Sequence, residues 1–391
     1  MTKKTTNINF LDLLAPRTKS ISENIISGKG FNIAHLHLDR VFTDTDKYYN
    51  VGAASQISSL TLKDKQNHID TLNHVYDRDN LTQRMTKAIN LFVKLNVKEI
   101  SSFINIGENL KEDGLIALNV ANELKEQYKE KIKFNIGAYP MFGFRNDRPE
   151  RLELLKEAIK SADFIGMLPE RDCFKYYGAS REHIGFRDSI TLGLKLAIEN
   201  EIPIHFHIDQ QNSIHERGTE TLANIIDYNT DIRNEIKKRK NNKEPFVWAV
   251  HSISPACYER NRFDDLAQRM GYYNIGLITC PSAAISMRQR ANETSPTHNS
   301  IADVIGYLAN NVHVRVGIDN IGDIFLPMTS PNPITELESL ANSIRYYDPE
   351  VLECLMSGEK LNTGLVKRVI DHRENYFSEI NSHPTKPKYI S

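Results

Sequence analysis

The sequence has no apolar run approaching the length of a membrane span, so hydropathy offers no transmembrane segment. Its first residues, MTKKTTNINFLDLL, lack the continuous apolar stretch and small-residue cleavage site of a secretory signal, and the expected compartment is the cytoplasm. Cysteines are sparse. Cys173, Cys257, Cys280 and Cys354 are scattered without CxxC spacing, which argues against a zinc ribbon or a disulfide framework. An excess of either charge is missing too: 49 basic against 50 acidic residues leave a formal net charge of -1. That balance creates no field to recruit nucleic acid or an anionic membrane. The expected partner is a small-molecule substrate, with self-association into a homo-oligomer left open.

What is present is a rhythm. With 391 residues the chain has room for one large domain or two ordinary ones. Eight short β-rich runs, at 31–39, 97–106, 132–140, 163–170, 202–209, 245–252, 273–281 and 313–320, alternate with longer stretches. Those stretches, such as 81–95, 180–200 and 301–309, carry apolar residues at helical spacing. Strand-then-helix repetition is the pattern of parallel strands joined by crossover helices, and eight units imply an α/β fold closed as a single (β/α)8 TIM barrel. The expected boundaries are an amino-terminal extension packing on the barrel at 1–30, the barrel at 31–376 and a polar tail at 377–391. The basic cluster KKRKNNK within 229–244 reads as a solvated helix end and loop.

In such barrels the working groups sit at the carboxyl ends of the strands. His35, His37, Glu170, His205, His207, His251 and Asp319 all fall where a run is ending. In AHLHLDR, His35 and His37 are one residue apart, so both side chains face the same side of a strand, which in a barrel is the interior. Two confined imidazoles suit a shared cation such as zinc or iron; the alternative is a pair of satisfied core histidines. The segment PIHFHIDQ repeats the spacing with His205 and His207, WAVHS adds His251, and VGIDN adds Asp319. The four segments together offer a set of imidazoles and one carboxylate at one barrel mouth. No catalytic lysine or glycine-rich phosphate loop follows the late strands, which disfavours a phosphate-binding aldolase or isomerase.

In order, HLHLDR, DFIGMLPERD, HFHIDQ, AVHS, ITCPSAAISMRQR and GIDNIGDIFLP resemble the cytosine deaminase branch of the amidohydrolase superfamily over nearly the whole barrel. The HxHLD start and the DNxxDxFxP ending are the most diagnostic parts. The resemblance implies one divalent metal ion, zinc or iron, held by His35, His37, His207 and Asp319. It also implies catalytic roles for Asp319 as proton acceptor and His251 at the developing oxyanion, in hydrolysis of a C–N bond by a metal-activated water. His207 is preferred over His205 because it lies nearer the strand end and precedes an Asp-Gln pair where relatives carry Asp-Glu; His205 reads as an outer donor or core.

The chain departs from that pattern at two substrate positions and in its overall extent. Gln210 stands where the branch has a proton-shuttling glutamate, and glutamine cannot transfer a proton at neutral pH. Met141 stands where a glutamine reads the pyrimidine edge, which turns the expectation away from cytosine. No amino-terminal β-sandwich is evident. Gln210, Met141, Glu170, Arg288 and His298 are the candidate substrate contacts, with a surface ion-pair network as the alternative for the charged ones. A second functional reading, motivated by the lost glutamate, is a barrel that keeps its metal but serves as a binding or assembly protein.

Overall fold

All eight expected runs form strands in the computed structural model, which describes residues 10–44, 48, 60–69, 76–173, 180–287 and 301–382. They are β1 (Phe31–Leu36), β2 (Val97–Ile106), β3 (Lys133–Pro140), β4 (Phe164–Met167), β5 (Ile204–Ile208), β6 (Val247–His251), β7 (Ile275–Thr279) and β8 (Val314–Val316). Neighbours pair in parallel in chain order, and a parallel bridge between Leu36 and Asp319 joins the last strand to the first. There the His35 carbonyl accepts the amides of Ile318 (3.0 Å) and Asp319 (3.1 Å), and the Asp319 carbonyl accepts that of His37 (2.8 Å). The fold is a single (β/α)8 barrel, and among the described residues every strand belongs to this one sheet.

Every residue of β1, β4, β5, β6 and β7 is buried, because helices cover the outside while side chains fill the inside. Large aromatics do much of that filling, and glycines on neighbouring strands make the room. A Cβ at Gly276 would lie 2.3 Å from the Trp248 ring. His205 stacks on Phe164 at 4.2 Å in the same interior, and Trp248 is core, its Nε1 donating to the Pro245 carbonyl.

Gly317 couples this packing to the barrel mouth. A Cβ there would sit 2.8 Å from both Cβ and O of His35 and 2.9 Å from Cys280 Sγ, so alanine would push β8 off β1 at the point where the barrel closes. Gly317→Ala is expected to destabilise the protein by about 1–3 kcal/mol through overpacking, read as a lower urea midpoint; an unchanged midpoint would show that the closure yields freely.

Three helices start elsewhere than the periodicity suggests. The pattern at 81–95 is a helix at Arg78–Lys94, and that at 301–309 is Val304–Ala309, whose start is set by Asp303 accepting the Gly306 amide at 2.8 Å. The pattern at 180–200 begins as a helix only at Phe186, because Gly185 at φ +97° is outside helical geometry and His183 is drawn to Asp172 at 2.9 Å. At the amino end, helix Pro16–Ser27 lies against the late helices, with Asn24 donating to Glu353 at 2.7 Å. At the other end helix Thr363–Ser382 continues past 376 into the segment expected to be a polar tail.

Candidate active site

The strand ends deliver their polar residues to one point. His35 Nε2 and His207 Nε2 lie 2.9 Å apart. Asp319 Oδ1 is 3.3 Å from His35 Nε2 and 3.4 Å from His37 Nε2, and Asp319 Oδ2 is 3.9 Å from His251 Nε2. Ligand atoms of His35, His207, His251 and Asp319 all fall within 4.8 Å of one another. His37 lies just outside that tightest set, joined to it through Asp319 and by stacking on His207 at 5.2 Å. His251 therefore stands as close to the centre as the residues expected to be ligands.

Local folding explains the convergence. Asp39, the aspartate of HLHLDR, is fully buried in the turn after β1 and accepts from the Tyr76 hydroxyl (2.9 Å) and the Asn105 amide (3.2 Å), while Arg84 donates to the Asp39 carbonyl (2.8 Å). It anchors the turn that follows the two histidines. Asp209 plays the matching part after β5, accepting the Gly218 and Thr219 amides and the Thr219 hydroxyl at the start of helix Gly218–Tyr228. Three strand-end residues, Asp209, His251 and Asp319, have positive φ (56°, 76° and 70°), a conformation that side chains other than glycine adopt only when their surroundings hold them. None of the Nδ1 atoms of His35, His37, His207 and His251 has a hydrogen-bond partner among the described residues, so ring packing orients the imidazoles. His207 stacks on His251 at 5.2 Å and meets Phe103 edge-on at 4.6 Å.

Electrostatics make this an uncomfortable cluster without a cation. Burial opposes ionisation of Asp319, but His35 and His37 outweigh it and hold the carboxyl well below the usual carboxylate range. Burial also pushes His37 and His207 far down, and His251 down to about 4 against the pull of Asp319. The result is an ionised carboxylate beside His37, His207 and His251, whose imidazoles burial holds neutral. His251 Nε2 is buried with no hydrogen-bond partner among the described residues. A divalent cation bound by nitrogen and carboxylate donors fits this set and would relieve the buried charge.

Above the cluster opens a cavity of about 900 Å³. His37, His207 and Asp319 form part of its lining, as do Met141 and Gln210. Glu170 does not line it: its Oε1 accepts the Asp209 amide at 3.1 Å, and burial together with Glu216 and Asp209 raises its carboxyl well above the usual range. In the turn Pro169–Asp172, Glu170 and Asp172 face the interior while Arg171 faces the cavity. Arg288 and His298 lie outside the described residues. Phe325 lines the cavity, whereas Asp323 caps its own loop by accepting the Phe325 and Leu326 amides. Arg171 and Lys65 also line the cavity, and the sequence reading singled out neither. Arg171 was within reach, since the LPERD turn carried the signal and only the facing of its residues was open.

Comparison with known proteins agrees with this architecture. A solved 5-methylcytosine deaminase from Klebsiella pneumoniae, liganded with 5-fluorocytosine, superposes with a TM-score of 0.68 at 19% identity, covering 84% of this chain and 73% of its own. The N-isopropylammelide isopropylaminohydrolase of Burkholderia multivorans gives a TM-score of 0.60 at 16% identity, covering 88% of this chain and 82% of its own. The chain has the fold of these two hydrolases. An uncharacterized protein of Haemophilus influenzae is 25% identical over 281 residues, or 72% of this chain and 91% of that protein. No family model matches. Among the described residues no helix is long and apolar enough to cross a membrane.

Proposed function

We propose that the protein is a metal-dependent amidohydrolase that cleaves a C–N bond in a small heterocyclic or amide substrate. Water adds at the carbon, the C–N bond breaks, and the nitrogen departs as ammonia or an amine. The observation that carries this reading is the buried convergence of His35, His37, His207, His251 and Asp319, of which His37, His207 and Asp319 line a cavity of about 900 Å³. The fold shared with the deaminase and the aminohydrolase supports it.

His35, His37, His207 and Asp319 would hold one zinc or iron ion, with His251 beside them. The bound cation supplies a lowered water pKa, from about 16 towards 7, and hence a nucleophile at neutral pH. Asp319, ionised in its setting, accepts a proton at its carboxylate and passes it to the leaving nitrogen. His251 faces the charge that develops on the substrate oxygen, a donor role worth a few kcal/mol. Gln210 Nε2 is buried with no hydrogen-bond partner among the described residues, and it supplies a donor to an acceptor on the substrate in place of a proton shuttle. Met141, Leu168 and Phe325 provide apolar walls that exclude water.

Elemental analysis of the purified protein is expected to find about one equivalent of zinc or iron. Chelation should abolish release of ammonia or amine from a panel of heterocyclic amines and cyclic amides, and adding the metal back should restore it. Full activity in metal-free protein would sink the reading.

A further inference from the structure

His251 reaches the centre without a hydrogen bond of its own. Neither ring nitrogen has a partner among the described residues, and Asp319 Oδ2 stands 3.9 Å from Nε2. Stacking on His207 fixes the tilt of the ring but not its position in the plane, so that position is inherited from the backbone. The backbone is bent there. His251 at φ +76° and Ser252 at φ +46° are consecutive residues in the left-handed region, where a side chain other than glycine stays only if its surroundings hold it.

Two sets of bonds hold it. The amides of the bend are tied to the end of β5: Ser252 donates to the Ile208 carbonyl at 3.1 Å, and Ile253 and Ser254 donate to that of Asp209 at 2.9 and 3.3 Å. Side chains add the second tie. The Ser252 hydroxyl lies 2.8 Å from the Thr219 hydroxyl and 2.8 Å from that of Tyr307, and Thr219 Oγ1 donates to Asp209 Oδ2 at 2.6 Å. A hydroxyl has one proton to give, so the carboxylate end sets the direction of the chain. Thr219 gives its proton to Asp209 and accepts from Ser252, which in turn accepts from Tyr307. Asp209 is itself pinned, since its two oxygens also accept the Gly218 and Thr219 amides. All four residues are at most 1% exposed, so no bulk water stands ready to replace a missing link. Tyr307, on helix Val304–Ala309, is further fixed by its edge-on contact with Phe263 at 4.9 Å. Neither Thr219, Ser252 nor Tyr307 lines the cavity, so any effect they have on turnover passes through His251.

We infer that Tyr307, Ser252 and Thr219 are positioning residues: a one-way chain of hydroxyls that holds the left-handed bend at His251 and Ser252 and thereby aims the His251 ring at the point where His35, His207 and Asp319 meet. This deepens the hydrolase reading and rests on it for the part His251 plays in turnover. The aim of the ring is measurable without a substrate.

NMR of the full-length protein, histidine-labelled and supplied with zinc, tests it, with His251→Gln and His205→Ala assigning the ring signals of His251 and of the core reference His205. In Tyr307→Phe, which keeps the ring packed on Phe263, and in Thr219→Val the His251 signal is expected to shift or broaden while that of His205 stays in place. Thr219→Ser keeps the hydroxyl and should leave both signals where they are. Ser252→Gly separates the chain from the strain: glycine adopts the bend freely, so the variant should fold, yet its His251 signal should still move because the hydroxyl is gone. On any heterocyclic amine or cyclic amide that the protein hydrolyses, kcat should fall about 10²-fold in Tyr307→Phe, Thr219→Val and Ser252→Gly, the scale of a small misplacement, with KM nearly unchanged. A His251 signal that does not move in Tyr307→Phe and Ser252→Gly overturns the inference. So does an equal movement of His205, which would mean a general loosening of the barrel, or a displaced His251 ring with kcat intact. If none of the compounds is turned over, the hydrolase reading alone is lost, and the NMR signals still decide whether the hydroxyl chain aims the ring.

Discussion

Replacing Asp319 with asparagine is expected to lower kcat by about 10²–10⁴-fold, the range for a positioned acid or base, with the barrel still folded. Asparagine has the shape of aspartate and is one of the few side chains other than glycine that settles at a φ near the +70° observed here, so the backbone has no reason to move. The Asp319 amide and carbonyl also hold the β1–β8 closure, and the substitution leaves both in place. What is lost is the charge. The carboxyl is held ionised by His35 and His37, and an amide at that point can neither take a proton nor neutralise a cation. The measurement is turnover at saturating substrate and saturating metal, with metal content and thermal unfolding followed alongside. A kcat within a few-fold of the parent would show that another group moves the proton.

His207→Ala is expected to reduce bound metal from about one equivalent to a small fraction of that, while His205→Ala keeps it. The two histidines are separated by one residue on β5 and both are buried, yet their surroundings differ completely. His207 Nε2 lies 2.9 Å from His35 Nε2, so its loss removes a donor from the centre. The drop in affinity should exceed the roughly 10–100-fold attached to outer-shell partners. His205 is sandwiched in the interior near Phe164 and Trp248, and replacing it opens a cavity that lowers stability by about 2–5 kcal/mol, as for other large core side chains. Metal analysis and urea denaturation of both variants separate the roles: one should lose metal, the other stability. Metal retained in His207→Ala would remove that residue from the ligand set.

Much of this was legible from the chain because it depends on local spacing. The eight runs became eight strands since a buried parallel strand is a short, continuous apolar stretch, and the helices between them carry their apolar stripe at every third or fourth residue. Helix starts were less legible. Gly185 and Asp303 stop or cap a helix inside a segment whose apolar pattern continues beyond it, and pattern alone does not rank a cap against a stripe. The site was legible through its strand-end histidines and Asp319, for the carboxyl ends of barrel strands share one mouth. Glu170 met the same positional criterion and was nevertheless turned inward, towards the amide of Asp209.

By itself the sequence determined the alternation of strands and helices, and with it the barrel and the side of each strand that faces inward. A two-residue side-chain period makes that outcome unavoidable once one face is buried. Depth along the barrel axis was fixed by the tertiary structure, because strand register is set by pairing between segments far apart in the chain; position along β5 had favoured His207 over His205 for the mouth, and the register seats His205 in the core, against Phe164. The same holds for the cavity wall that Lys65 and Arg171 line. Lys65 lies on a helix between β1 and β2 and Arg171 on the turn after β4, more than a hundred residues apart, and only closure of the barrel brings the Arg171 guanidinium against the carbonyl beside Lys65.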